Sequence, residues 1–198
     1  PVVYSRRTRQ YTELFDPQPH GAGAPRCRVP PSRPPSTTVV SLEQLNLKPG
    51  HLIRRAQQIA VAVFMEECGA FDLTPVQYAA LTAIGLQPDV DATRLSQLIA
   101  LDRSTTGSVL ERLEAKALVV RVPSAQDRRV KLLRLSEAGH ALLRRVDAAV
   151  ERAQRRIVAP LRPDERKVFI RLLTQLVESN NALSRAPAAL GGRLDSAA

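Results

Sequence analysis

From Pro49 onward, apolar side chains return every three or four positions through Leu52, Ile53, Ala56, Ile59, Ala60, Val63 and Phe64, which predicts an amphipathic helix ending near Gly69. Thr74 as N-cap and Pro75 at the first helical position open a second helix, with Tyr78, Leu81, Thr82 and Ile84, which Pro88 stops. Two short helical patterns follow over about 92–117, separated by three or four residues, which is the spacing of a helix-turn-helix. The first holds Leu95, Leu98 and Ile99. The second is opened by Asp102 and keeps Val109, Leu110 and Leu113 on one face, with Arg103, Ser104, Thr105, Thr106, Ser108 and Arg112 on the other. Short hydroxyl side chains are poor helix formers, so their concentration at a helix start points to a use outside the helix. Base edges in a major groove supply that use.

Further along, Leu118 to Pro123 and Val130 to Leu135 have β character, and the polar stretch Ser124 to Arg129 joins them, so a two-stranded wing is predicted over about 118–135. Ser136 then caps a long helix with Leu142, Leu143, Val146, Ala149, Val150 and Ala153 on one side and arginines on the other; Pro163 starts a last helix bearing Val168, Leu172, Leu173, Leu176 and Val177. The expected fold is mainly α with a small two-stranded β-wing: a winged helix-turn-helix domain plus a helical dimerisation region over residues 45–185. Residues 1–44 read as an extended arm, because seven prolines between Pro17 and Pro35 exclude a regular helix. Residues 186–198 read as a tail.

Charge sharpens the picture. The net charge is +10, unevenly distributed: residues 1–40 hold six arginines against two carboxylates, whereas residues 121–185 hold fifteen basic and seven acidic side chains. Arginine dominates, and its flat donor fork suits phosphate and guanine edges. No apolar run approaches the ~20 residues of a membrane span and no signal-type segment opens the chain, which points to a cytoplasmic protein without a membrane partner. Cys27 and Cys68 are too few for a disulfide framework, and His20, His51 and His140 fall on separate elements, so no metal or other cofactor is expected. No catalytic triad, paired-carboxylate, P-loop or dinucleotide signature occurs, so the chain does not read as an enzyme.

Two stretches carry a family resemblance. Leu101-Asp102-Arg103-Ser104-Thr105-Thr106-Gly107-Ser108-Val109-Leu110-Glu111-Arg112-Leu113 and on to Val119 resembles the recognition helix of the MarR family of bacterial regulators and its lead into the wing. Asp127-Arg128-Arg129-Val130-Lys131-Leu132-Leu133-Arg134-Leu135-Ser136-Glu137-Ala138-Gly139 is similar to that family's wing signature. Ala117 stands where the family often has Gly, so the turn there forgoes the residue best suited to a left-handed backbone.

The resemblance implies a homodimer whose terminal helices interlock and whose two winged domains enter successive major grooves of a double-stranded, pseudo-palindromic operator. It also implies that Arg129 enters the minor groove with Asp127 paired to it, and Arg128 suits phosphate. In the family a crevice between the first two helices and the winged domain takes anionic phenolic compounds. This chain offers His51, Arg54, Arg55, Gln58 and Tyr78 there for a small aromatic carboxylate, although the arginines serve equally as dimer ion-pair partners and Tyr78 as core. The peroxide-sensing branch keeps its reactive Cys near the start of the first helix, where this chain has Leu52 to Ala56; Cys68 lies at the other end beside Glu66 and Glu67, whose charges raise a thiol pKa. The reading is a ligand-responsive repressor; the alternative from another class is an architectural protein that coats DNA with little specificity.

Overall fold

Most helices begin at residues built to begin one. In the computed structural model, which describes residues 41–189, Ser41 caps α1 (Leu42–Asn46) and Thr74 caps α3 (Pro75–Leu86), each in a reciprocal box with a glutamine three residues on. Asp91 caps α4 (Ala92–Leu98), Asp102 caps α5 (Arg103–Ala115) and Ser136 caps α6 (Glu137–Ile157). α2 (Pro49–Cys68) and α7 (Pro163–Ser179) start on proline, which has no amide hydrogen to leave unpaired. Residues 41–44, read as the end of an extended arm, instead cap and begin α1, because Ser41 and Gln44 close a capping box; the rest of that stretch, residues 1–40 with Cys27, and residues 190–198 lie outside the described residues.

The wing is the expected hairpin of β2 (Val119–Pro123) and β3 (Lys131–Leu135), but its sheet has three strands. Val90–Asp91 forms a short β1, missed at the sequence level, which pairs antiparallel with β3 through Val90 opposite Leu133. Two residues carry too little periodicity to read as a strand, and β3 supplies the pairing that makes them one. Leu133, in the middle strand and 1% exposed, packs with Leu81, Ile84, Leu95, Leu110, Leu113 and Val119 in the core of the winged domain. Truncating such a leucine to alanine costs about 2–5 kcal/mol.

α2 and α6 pack along one another through Phe64, Cys68, Val146 and Val150, and ion pairs close the outside of this seam. Glu67 accepts from Arg152 Nε at 2.9 Å and Arg156 Nη1 at 2.7 Å, and Glu66 accepts from Arg156 Nη2 at 2.7 Å. Gly139 permits the junction of α6 with the wing. The Leu118 carbonyl presses on its Cα so closely that a side chain would collide, and the same carbonyl accepts from Ser136 N–H at 3.0 Å.

α7 buries none of its residues, and its apolar side chains from Val168 to Val177 are 38–59% exposed. Beyond it, the Asn181 side chain grips the Ala188 backbone through two bonds of 2.8 Å, and Ala189 N–H donates to the Gln97 carbonyl at the end of α4. The start of the stretch read as a tail, residues 186–189, therefore lies against the helix-turn-helix.

Candidate nucleic-acid interface

The turn between α4 and α5 and the end of α5 are built alike. Leu101 N–H reaches back to the Ser96 carbonyl and Leu118 N–H to the Leu113 carbonyl, both at 2.9 Å, each across an alanine with positive φ: Ala100 at 51° and Ala117 at 54°. The turn at Ala117 is thus made by the alanine itself in the left-handed conformation. Ala100, in the helix-turn-helix turn, carries the same strain.

α5 turns Thr106, Val109, Leu110 and Leu113 inward. Thr106 is a correction to the predicted DNA-binding set: it is 1% exposed, and its hydroxyl donates to the Asp102 carbonyl at 2.9 Å, so it cannot touch DNA. At four residues past the cap its side chain faces Leu110 and the core, a direction that polarity alone does not reveal. Arg103, Ser104, Thr105, Ser108 and Arg112 are exposed as expected, with Gly107 between them and Glu111 one turn on. Asp102 organises the start of this face. Its Oδ1 accepts from Ser104 Oγ at 2.6 Å and Thr105 N–H at 2.9 Å, and its Oδ2 accepts from Thr105 Oγ1 at 2.6 Å. The Ser104 and Thr105 hydroxyls in particular hold its carboxyl well below the usual carboxylate range, so it is ionised throughout the working pH range.

In the wing, Asp127 is not paired with the Arg129 guanidinium; its Oδ1 accepts from the Arg129 backbone N–H at 2.9 Å, while its carbonyl accepts from Val130 N–H. It shapes the turn, because a carboxylate reaches an amide two residues on more readily than a long side chain folds back to it. Arg128 and Arg129 stand exposed at the tip. Arg129 also edges a ≈ 370 Å³ groove shared with Thr93 of α4 and with Arg121 and Lys131, wing residues that the sequence reading missed; five-residue strands with apolar residues on both sides give no sign of which side faces the groove.

Ion pairs take up part of the basic excess. Arg121 is engaged by Glu114, and Arg134 holds Asp89 through bonds of 2.5 and 2.9 Å, which lowers the Asp89 pKa. Arg152 and Arg156 are spent on Glu66 and Glu67. Among the described residues, Arg103, Arg112, Arg128, Arg129 and Lys131 make no ion pair within the chain. These five charges lie on α5 and the wing.

The residues predicted for a ligand are not brought together within one chain. Arg54 Nη1 donates to Gln58 Oε1 at 3.0 Å on an exposed stretch of α2 that includes Arg55, and His51 is half-buried one turn earlier. Tyr78 packs against Phe64, with ring centroids 6.0 Å apart, and Phe64 is about 15 Å along α2 from Arg54 at 1.5 Å per residue. One turn beyond Tyr78, the Thr82 hydroxyl is buried without a hydrogen-bond partner among the described residues, a feature only the packing reveals. Cys68 is fully buried. Its thiol pKa is pushed up first by burial and then by the Glu67 charge, so the direction expected from its acidic neighbours holds but burial leads. Among the described residues no three His, Cys, Asp or Glu side chains are arranged to hold a metal ion, and no helix is long and apolar enough to cross a membrane.

A profile of the MarR family matches residues 71–130, from the turn after α2 to the last residue before β3. Over 131 residues the chain is 30% identical to the HTH-type transcriptional repressor NicR of Pseudomonas putida, an alignment spanning 66% of this chain and 83% of that protein. The solved structure of Bordetella bronchiseptica BpsR, whose DNA binding is regulated by 6-hydroxynicotinic acid, is 30% identical with a TM-score of 0.64, covering 67% of this chain and 95% of that one. The transcriptional repressor CouR bound to a 23-mer DNA duplex is 27% identical with a TM-score of 0.65, covering 69% and 97%.

Proposed function

Because the chain belongs to the MarR family of winged helix-turn-helix transcriptional regulators, we propose that it is a repressor that binds a pseudo-palindromic operator as a homodimer and is released by a small aromatic or heteroaromatic acid. The observation that carries the DNA-binding half is the outer face of α5. Its polar side chains stand on a helix locked at both ends, and Arg103 and Arg112 are left without internal ion pairs beside the similarly unpaired wing arginines. Side chains of α5 meet base edges and the wing meets the minor groove and phosphates, as the recognition helix and wing of a helix-turn-helix regulator do. The similar repressor CouR, bound to a DNA duplex, supports DNA as the partner.

Dimerisation is supported by the open apolar sides of α1, α2 and α7. Leu42, Leu52, Ile53, Ile59 and the α7 stripe are each 38–77% exposed, and exposed apolar surface of this kind marks protein interaction sites. A two-fold dimer would set its two α5 helices about one turn of DNA apart, ~10 bp. Such a protein acts in the cytoplasm, where its operator lies. Its role is regulatory, not enzymatic.

Effector chemistry is supported by BpsR, which responds to 6-hydroxynicotinic acid. In this chain Arg54, with His51, Arg55 and Gln58 beside it, would pair the carboxylate; Tyr78 would meet the ring and Thr82 its hydroxyl. The partner protomer would complete the site, because the α2 and α3 groups are apart within one chain. A ligand that favours a wing spacing unsuited to the operator releases DNA, whereas one binding both states equally shifts nothing.

The test is footprinting followed by fluorescence anisotropy. A short protected palindrome is the expected footprint, and continuous protection along the duplex would favour an architectural coat instead. Aromatic acids, 6-hydroxynicotinic acid among them, are then titrated into the complex. A response that survives in the His51→Ala, Arg54→Ala double variant would remove these residues from the effector site.

A further inference from the structure

On the outer face of α5 the hydroxyl hydrogens are already committed. Ser104 Oγ and Thr105 Oγ1 each lie 2.6 Å from a different oxygen of Asp102. An ionised carboxylate only accepts, so both hydroxyls donate, and 2.6 Å is the length expected of O–H···O⁻ bonds. The strongly lowered Asp102 pKa fits that assignment. One turn on, Ser108 Oγ donates to the Ser104 carbonyl at 3.3 Å. A hydroxyl has one hydrogen and two acceptor sites, so what Ser104 and Thr105 have left to offer outward is acceptance alone.

Base pairs discriminate against such a group. In the major groove guanine presents N7 and O6 and thymine presents O4, all acceptors, whereas adenine N6 and cytosine N4 are amino donors. A hydroxyl could meet an acceptor edge only by giving up Asp102, exchanging a charge-assisted bond for a neutral one about half as strong. We propose that Ser104 and Thr105 read exocyclic amino groups, adenine N6 or cytosine N4, and that Asp102 is the positioning residue that fixes their polarity. Arg103 and Arg112, which only donate, are left for acceptor edges and phosphates. This rests on α5 being the helix that reads DNA.

Selection of duplexes from a random-sequence pool by the full-length wild-type chain, repeated with Ser104→Ala and Thr105→Ala, identifies the base pairs whose preference depends on these hydroxyls. At those pairs adenine is replaced by purine without its 6-amino group, or cytosine by its analogue without the 4-amino group. Wild-type affinity is expected to fall about 3- to 10-fold, the range for one neutral hydrogen bond, and the variant lacking the hydroxyl is expected to change less than about 2-fold. Replacing purine N7 by carbon at the same pairs is expected to leave affinity unchanged. Asp102→Asn keeps a good helix cap but introduces an N–H₂ donor. A hydroxyl facing that donor accepts from it and turns its own hydrogen outward, so preference at one of the pairs should move toward guanine or thymine.

Sensitivity to loss of N7 with indifference to loss of the amino group would overturn the proposal while leaving α5 a DNA reader. So would selections in which neither hydroxyl governs any pair. Failure of the wild-type chain to select any sequence would overturn the DNA-binding reading itself, and this inference with it.

Discussion

Gly107 sits in the middle of α5, on the same outer face as Ser104 and Ser108, and a Cβ built there meets no atom within 4 Å. A glycine inside a helix costs about 0.8–1 kcal/mol relative to alanine, through backbone entropy lost on folding. The free protein therefore gives up stability at a position where a methyl group would fit. If the helix lies deep in a major groove, the missing side chain lets its backbone approach the bases. Gly107→Ala is then expected to stabilise the fold by about 0.5–1 kcal/mol, a rise in melting temperature of roughly 2–3 °C for a domain of this size. Operator binding is expected to weaken about 5- to 150-fold, since an added methyl in a tight contact costs about 1–3 kcal/mol. Circular dichroism melts at fixed protein concentration, needed because dimer stability is concentration-dependent, and anisotropy titrations at fixed salt measure the two effects. A lower melting temperature would refute the open environment at residue 107. A stabilised variant with unchanged affinity would refute the close approach of α5 to DNA.

Three further outcomes are expected. Arg129→Ala should weaken operator binding by about 1–3 kcal/mol without altering the dimer on size-exclusion chromatography, because the side chain is exposed and unpaired; normal operator affinity in anisotropy would remove the wing tip from the interface. Ala117→Gly should raise stability by about 0.5–1 kcal/mol in denaturant titrations, since alanine at φ 54° is strained where glycine is not, and a loss would mean that glycine's greater unfolded-state entropy wins. Arginine partners lower the pKa of Glu67 and Asp89 from their unfolded values near 4, so the stabilisation from these pairs is complete above about pH 5 and lost as pH falls. Glu67→Gln should flatten the acid limb of a melting temperature–pH profile, and an unchanged slope would show that the α2–α6 ion pairs do not couple to folding.

Much of this protein was settled within short windows of its sequence. The caps at Thr74, Asp102 and Ser136, the prolines that begin α2, α3 and α7 and the apolar stripes between them act over three or four residues, so helix positions were legible without a fold. The hydroxyl-rich start of α5 and the Asp127–Arg129 stretch marked the candidate interface for the same reason. Tertiary structure decided where each polar group spends its bonds. It turned Thr106 into the core, gave the Asp127 carboxylate to a backbone amide and spent Arg134, Arg152 and Arg156 on carboxylates far away in sequence. It also made a strand of Val90 and Asp91 and brought Ala189 to the end of α4. Local sequence fixes which way a backbone turns, because its hydrogen bonds span a few residues. Which surface charges remain free to meet a partner depends on groups as far apart as Glu66 and Arg156, whose proximity exists only once the chain has packed.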